Sequence, residues 1–182
     1  MTLIGHLMKK RPIDIVKERL NTVPVNVEAI LRALDVEVRK DAKLGTDISG
    51  EIRREGDRYI VSTSEDEHPF RQRFTLAHEL GHFVLHKSLI GTGLDDSKMY
   101  RSTESGDFYN TSIKLVHERQ ANSFAAKVLM PKVLLRERID GAKEVGGKPH
   151  ISDLCNLFQV SFSAMKWRLV NLGWEDKVQG LV

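Results

Sequence analysis

The segment FTLAHELGHFVLH, residues 74–86, places three histidines and a glutamate within nine consecutive positions, 78–86. His78, Glu79 and His82 form the pattern H-E-x-x-H. Side chains four residues apart share one face of a helix, so both imidazoles can reach the same metal ion. The glutamate beside the first histidine is then placed to take a proton from a water molecule that the metal activates. This spacing predicts metal-assisted hydrolysis.

The apolar residues of the same helix lie away from the histidines. At about 100° per residue, a helical wheel groups four apolar side chains roughly opposite His78 and His82: Leu76, Leu80, Phe83 and Val84. The helix is therefore predicted to have an apolar back for the core and a histidine face that is free for chemistry.

A catalytic zinc site needs a third protein ligand besides its water molecule. The downstream segment HERQANSFAAKVLMP, residues 117–131, places Glu118, Ala121 and Ala125 on one helical stripe. Small side chains beside a carboxylate would let this helix pack closely against the histidine helix and bring the carboxylate to the metal. Glu118 is the predicted third ligand, in the His-His-Glu arrangement of gluzincins.

His86 follows His82 by four residues and is the other candidate for a third ligand. One straight helix seldom places three ligands around a tetrahedral ion, so His86 is expected to line the cleft or support the ligands instead. The oxyanion formed in hydrolysis also needs a hydrogen-bond donor. The candidates for that donor are Tyr100, Tyr109, His117, His150 and Arg71. All five residue types can donate, so the sequence does not distinguish among them. The two tyrosines lie in a long Gly- and Ser-rich stretch, residues 88–111, that could fold over the site as a lid.

The elements that must position these residues are predicted to form a small α+β domain. Two helices, PIDIVKERLNTVP and NVEAILRALDVEV, come first, the second with Asn26 as its N-cap. Three short β-rich segments, VEVRK, ISGEIRREG and RYIVSTS, predict a small antiparallel sheet. The histidine helix is expected from about residue 70 to 87, the Glu118 helix from about 112 to 130, and a shorter helix at PKVLLRERI. If RYIVSTS is a sheet edge, an extended substrate could pair with it by strand addition.

The C-terminal segment ISDLCNLFQVSFSAMKWRLVNLG predicts two helices about a tight turn, after a glycine-rich linker DGAKEVGGKPH. The expected division is residues 1–140 as the main domain and 141–182 as a helical, helix-turn-helix-like part. Lys166, Trp167 and Arg168 could contact phosphates. We expect these two helices to pack into the core rather than to bind DNA, because their basic residues are few. Most of their apolar positions fit one core: Leu154, Leu157, Phe158, Val160, Met165, Leu169 and Leu172. Cys155 lies within that apolar pattern and is expected to be buried.

Composition is that of an ordinary globular chain. The 182 residues are 41% hydrophobic and 29% charged, with a net charge of +3 that gives no general argument for nucleic-acid binding. The one cysteine excludes an intrachain disulfide. No apolar run is long enough to span a bilayer, and the order of apolar and basic residues at the N-terminus is the reverse of a signal peptide's. A cytoplasmic location without membrane contact is therefore expected.

Two segments in this order, RQRFTLAHELGHFVLH and ERQANSFAAKVLMP, resemble the ImmA/IrrE (DUF955) metallopeptidases, with support from DISGEIRREGDRYIVSTS and LFQVSFSAMKWRLVNLG. The resemblance implies a zinc endopeptidase with one zinc ion per chain on His78, His82 and Glu118, and Glu79 as the catalytic base. It also implies a partner, a helix-turn-helix repressor or an antitoxin, whose cleavage derepresses phage, mobile-element or stress genes. The alternative is a zinc-stabilised binding module that acts on its partner without proteolysis. Manganese or iron could also occupy such a site.

Overall fold

The computed structural model describes residues 10–44, 49–90, 100–102, 114–144 and 146–181, with the backbone alone at residues 41 and 100–102. The elements in chain order are α1 (Pro12–Lys17), α2 (Val27–Ala33), β1 (Val36–Ala42), β2 (Gly50–Glu55), β3 (Arg58–Ser64), α3 (Pro69–Leu85), β4 (Tyr100–Ser102), α4 (Leu115–Leu129), α5 (Lys132–Glu144), α6 (Ile151–Phe158) and α7 (Phe162–Leu172). Short 3-10 turns lie at Lys87–Leu89 and Glu175–Lys177. No helix in these described ranges has both the length and the apolar character needed to cross a membrane.

The helix starts follow local capping rules. The Asn26 side chain accepts a hydrogen bond from the backbone N–H of Ala29 at 2.9 Å, which confirms it as the N-cap of α2. Ahead of α3, the His68 ring accepts from the N–H of Phe70, and Pro69 occupies the first helical position, where its missing N–H has no cost. The start of the histidine helix is therefore set by residues next to it in sequence.

The strands form one mixed sheet in the order β1-β3-β2-β4. β2 runs antiparallel to both β3 and β4, whereas β1 runs parallel to β3. The α+β class with a short sheet against the H-E-x-x-H helix is confirmed, but the expectation of a wholly antiparallel sheet is wrong for β1. Strand composition is the same for either direction, and the path of the chain between strands decides which occurs. The sequence prediction also missed β4, which lies inside the stretch read as a loop.

β3 is an interior strand. It is hydrogen-bonded to β1 on one side and to β2 on the other. The expectation that RYIVSTS forms a sheet edge is therefore wrong, and an added substrate strand cannot pair with it.

The main core lies between the sheet and α3. Leu76, Leu80 and Phe83 are buried there, as the helical wheel predicts, while Val84 is only partly buried. Close contact requires a glycine in β2, because a Cβ at Gly50 would overlap the Thr75 side chain and lie 2.9 Å from the Ser62 carbonyl oxygen. The packing of the sheet therefore holds α3 in place from behind.

The C-terminal helices pack on the same continuous core. The buried residues there include most of the predicted set and the free thiol: Leu154, Cys155, Phe158, Val160, Met165 and Leu169. The prediction is wrong for Leu157, which is 37% exposed. α5 extends to Glu144 through half of the predicted glycine-rich linker. The predicted division at residue 140 falls within α5 and stays a prediction.

Candidate metal centre

α3 and α4 bring His78, His82 and Glu118 together. One possible ligand atom from each lies within 4.8 Å of the others. Glu118 Oε2 is 3.1 Å from His78 Nε2, Glu118 Oε1 is 3.3 Å from His82 Nε2, and the two Nε2 atoms are 2.9 Å apart. These three side chains, two nitrogens and a carboxylate, could hold a metal ion.

The histidine face of α3 is covered by α4. His82 is fully buried, and His78 and Glu118 are nearly so. This is the close packing that the stripe of small residues beside Glu118 predicts, and it encloses the histidine face between the two helices. The apolar back and the histidine front of α3 both lie inside the protein.

Small residues allow α4 to come this close. Ala121 and Ala125 on α4 are completely buried, as the predicted stripe requires. Opposite them, a Cβ on Gly81 would lie 3.2 Å from both the Cα and the carbonyl oxygen of Ala121. Those are backbone atoms that cannot move without moving the helix. Gly81 thus determines the distance between the helix that carries the histidines and the helix that carries Glu118.

Gly81→Val is therefore expected to destabilise the fold by about 1–3 kcal/mol, the usual cost of overpacking, and to weaken metal binding. Gly141→Val is the matched control, since Gly141 is also helical and a Cβ there meets nothing within 4 Å. Urea unfolding of both variants measures the difference. Equal unfolding free energies for the two would contradict the role of Gly81.

Polar residues of α4 orient the histidine rings. An amide oxygen only accepts, so His78 Nδ1 donates to Asn122 Oδ1 at 2.9 Å, and His86 Nε2 donates to Gln120 Oε1 at 2.8 Å. His82 Nδ1 and His86 Nδ1 are 3.1 Å apart, so one of these two rings donates to the other. The Nε2 atoms of His78 and His82 are turned towards Glu118. Such outer hydrogen bonds are what metal-ligating histidines usually have.

The charge states also suit a cation. Burial lowers the pKa of His82 to about 4, so its ring is neutral at neutral pH. Burial alone would raise the pKa of Glu118, but hydrogen bonds with His78 and His82 outweigh it and bring the pKa to about 2. Burial likewise acts to lower the pKa of His78, yet the hydrogen bond with Glu118 outweighs it and the pKa is raised. The raised pKa means that His78 tends to hold a proton in the metal-free chain, and a bound metal ion would displace that proton.

Glu79 is a completely buried carboxyl group. Neither of its side-chain oxygens has a hydrogen-bond partner among the described residues. Burial raises the pKa of Glu79 to about 8, and the neighbouring Glu118 charge adds to this, although His78 acts in the opposite direction. Unpartnered buried carboxylate oxygens are costly unless something else satisfies them. A divalent cation bound by His78, His82 and Glu118, close to the Glu79 carboxyl group, fits these side chains.

The other predicted site residues have different surroundings. His86 is held by His82 and Gln120, so its contacts match a supporting role rather than that of a third ligand. The His117 ring accepts from the N–H of Lys114 at the start of α4 and lies 4.8 Å from the His86 ring. His150 caps α6, where its ring accepts from the N–H of Ser152. Tyr100 belongs to β4, with its side chain outside what is described, and Tyr109 lies outside the described residues.

Three contributors were missed from the sequence: Gly81, Gln120 and Asn122. Asn122 follows Glu118 by four residues and could have been found from the same helical spacing that selects Ala121 and Ala125. Gly81 lies between the two histidines of the motif, where only the position of α4 reveals its purpose.

A family model described as the IrrE N-terminal-like domain, Peptidase_M78, matches residues 31–170. That range contains every residue of the centre and most of the chain. The protein belongs to this family. The predicted ImmA/IrrE resemblance is thereby confirmed, and the family's description as a peptidase agrees with a His-His-Glu group that could hold a metal ion.

Among solved structures, this IrrE-like chain is similar to a Mycobacterium tuberculosis transcriptional regulator, with a TM-score of 0.56 and 17% sequence identity. The match covers 91% of this chain and 48% of that one, so the chain spans about half the length of its structural neighbour. At this identity the likeness shows a shared fold. Among curated proteins, none matches the chain.

Proposed function

We propose that the protein is a zinc-dependent endopeptidase that cleaves a helix-turn-helix repressor or an antitoxin. The observation that carries the proposal is the buried Glu79 carboxyl group, whose oxygens have no partner among the described residues, beside three converging metal-binding side chains. A site that only stabilises the fold has no use for an unsatisfied carboxylate at that position. A hydrolase needs one as a proton acceptor.

The residues divide the work in the following way. His78, His82 and Glu118 would hold zinc, and the bound ion supplies Lewis-acid activation of water and of the scissile carbonyl group. A carboxylate oxygen of Glu79 takes the proton of the attacking water and later passes it to the leaving amine. Burial raises the pKa of Glu79 to about 8 in the metal-free chain, which favours the protonated acid that makes the second transfer. Asn122 fixes the orientation of the His78 ring, and His86 fixes that of the His82 ring.

A regulatory protein is the proposed substrate class. Support comes from the family, which is named after IrrE, and from the structural neighbour, which is titled a transcriptional regulator.

The test is cleavage of a helix-turn-helix regulator, chosen from those encoded near this protein where the genome has one. The purified full-length chain, loaded with zinc, is incubated with that regulator, and the fragments are identified by mass spectrometry. Cleavage at one bond that stops on adding a chelator is the expected result. An intact regulator that nevertheless binds the protein tightly would favour the binding-module alternative.

Metal removal is expected to lower thermal stability. A ligand present at 100 times its Kd stabilises the native state by about 2.7 kcal/mol, which corresponds to about 5–10 °C in Tm for a chain of this size. Differential scanning calorimetry with zinc and with excess chelator measures the shift. The Glu118→Ala variant is the control, because it should unfold at the same temperature under both conditions. A wild type indifferent to chelator would contradict the proposed centre.

A further inference from the structure

A groove of about 940 Å³ runs beside the candidate metal centre between α3, α4 and α7. Its apolar surface comes from both the middle and the C-terminal parts of the chain: Phe70, Phe74, Ala126, Val160, Ala164 and Trp167. Trp167 is 67% exposed, which is unusual for so large an apolar side chain. Phe74, Ala126 and Ala164 are only partly buried against the core, so together with Trp167 they leave apolar surface open in the groove.

The charged side chains of the groove are all basic. Arg119 and Lys127 are exposed and lie about two turns apart on α4, on the same side of the helix. Arg71 and Arg168 complete the set, although Arg168 is mostly buried and donates to the Met130 carbonyl oxygen at 3.1 Å. Among the described residues, no aspartate or glutamate lines this groove. Its electrostatic potential is therefore positive.

The groove borders the metal centre through side chains that contact His78. Asn122 lines it and also accepts the hydrogen bond from His78 Nδ1. Phe74 lines it as well, and its ring lies 6.5 Å from the His78 ring. Arg119 follows Glu118, the carboxylate of the centre, in the chain. A peptide held at the centre would therefore extend into the groove on one side.

We propose that this groove binds an acidic segment of the substrate protein, next to the bond that is cut. A large apolar side chain of that segment packs on Phe74 and Trp167, and its flanking aspartates or glutamates face Arg119 and Lys127. Tryptophan and arginine around a pocket are the residues that most often dominate binding at protein interfaces. The inference rests on the proposed function and adds to it the chemistry of the substrate.

A protein segment fits the groove better than a nucleic acid does. Of the four basic side chains, Arg168 is occupied with the backbone, so few are left to neutralise phosphates. The surface is concave and largely apolar, as peptide pockets are, and it leads to a centre suited to peptide hydrolysis. The aromatic and basic mixture could still stack single-stranded bases, and the test includes that outcome.

The test measures binding by fluorescence anisotropy to the full-length chain carrying Glu79→Gln, so that a bound peptide is not cut. The probe is a short labelled peptide with a Leu-Phe pair flanked by glutamates, compared with versions that carry glutamine or lysine and with a single-stranded oligonucleotide. The glutamate peptide is expected to bind most tightly. The combined Arg119→Glu and Lys127→Glu change should weaken it by about tenfold or more and favour the lysine peptide.

Two further variants separate the groove from general effects. Arg138→Glu changes the charge on the exposed face of α5 and should leave binding unchanged, whereas Trp167→Ala should weaken all three peptides. Equal binding of the glutamate and glutamine peptides, no binding of any peptide, or tighter binding of the oligonucleotide would overturn the proposal. So would a loss with Arg138→Glu as large as the loss with the Arg119 and Lys127 changes.

Because binding is measured without cleavage, the outcome is independent of the proposed activity. A chain that binds the acidic peptide but cuts no regulator would refute the peptidase proposal alone. If the regulator is cut, Arg119→Glu with Lys127→Glu should raise KM and leave kcat nearly unchanged, as expected for contacts made equally in the ground and transition states.

Discussion

Glu79→Gln is expected to abolish cleavage while leaving the metal in place. The amide cannot accept the proton of the attacking water, and loss of a general base lowers rates by about 100- to 10,000-fold. His78, His82 and Glu118 are unchanged, so metal content should stay at the wild-type level. The measurements are kcat/KM on the regulator and elemental analysis of the same preparation.

Stability provides an independent readout for this variant. Glu79 is completely buried and its oxygens have no hydrogen-bond partner among the described residues, so replacing it should leave the free energy of unfolding of the metal-free chain unchanged or higher. Glu51→Gln is the contrasting control. Glu51 is also buried, but it is paired with Arg53 at 2.6 Å, so its replacement should lower the free energy of unfolding.

Wild-type cleavage by Glu79→Gln would remove Glu79 from the mechanism and leave its unsatisfied burial without a functional reason. The binding-module alternative would then be favoured, provided that the metal is present in both proteins. If Glu79→Gln loses both the bound metal and the cleavage activity, the substitution disturbs the centre.

Glu118→Ala is expected to lose the metal. Removing a hydrogen-bond partner of a ligand already costs about 10–100-fold in metal affinity, so removing a ligand should cost more than about 100-fold. The alanine also removes the carboxylate that lies 3.1 and 3.3 Å from the two histidine Nε2 atoms. Zinc affinity is measured by competition with a chromophoric chelator. Arg119→Ala, the next residue on the same helix, is the control and should bind zinc like the wild type.

The same experiment decides between the two candidates for the third ligand. His86→Ala should weaken zinc binding by about 10–100-fold, the effect of a supporting residue, because His86 contacts His82 and Gln120 rather than the converging atoms. A larger loss for His86→Ala than for Glu118→Ala would reverse the assignment and place the three ligands on α3 and its C-cap residue.

The sequence alone was sufficient for the features that depend on short-range spacing. The spacing of four from His78 to His82 brings both rings to one side of any helix, and the Glu118–Ala121–Ala125 stripe predicts a close helix contact with a carboxylate beside it. Both follow from the period of the helix, which does not depend on the rest of the fold. The N-cap of α2 at Asn26 is local in the same sense.

The tertiary structure decided how these local elements meet. It placed β3 inside a mixed sheet rather than at an antiparallel edge, and it buried the histidine face of α3 under α4. Strand order and direction could not be read from composition, because they depend on the path of the chain, whereas the stripe of small residues predicted the helix contact but not how completely it buries the histidines. For the same reason Asn122, Gln120 and Gly81 gain their roles only once α4 lies across α3, more than 30 residues away in sequence. The basic groove likewise exists only because α7 packs beside α3 and α4, joining side chains that are far apart along the chain.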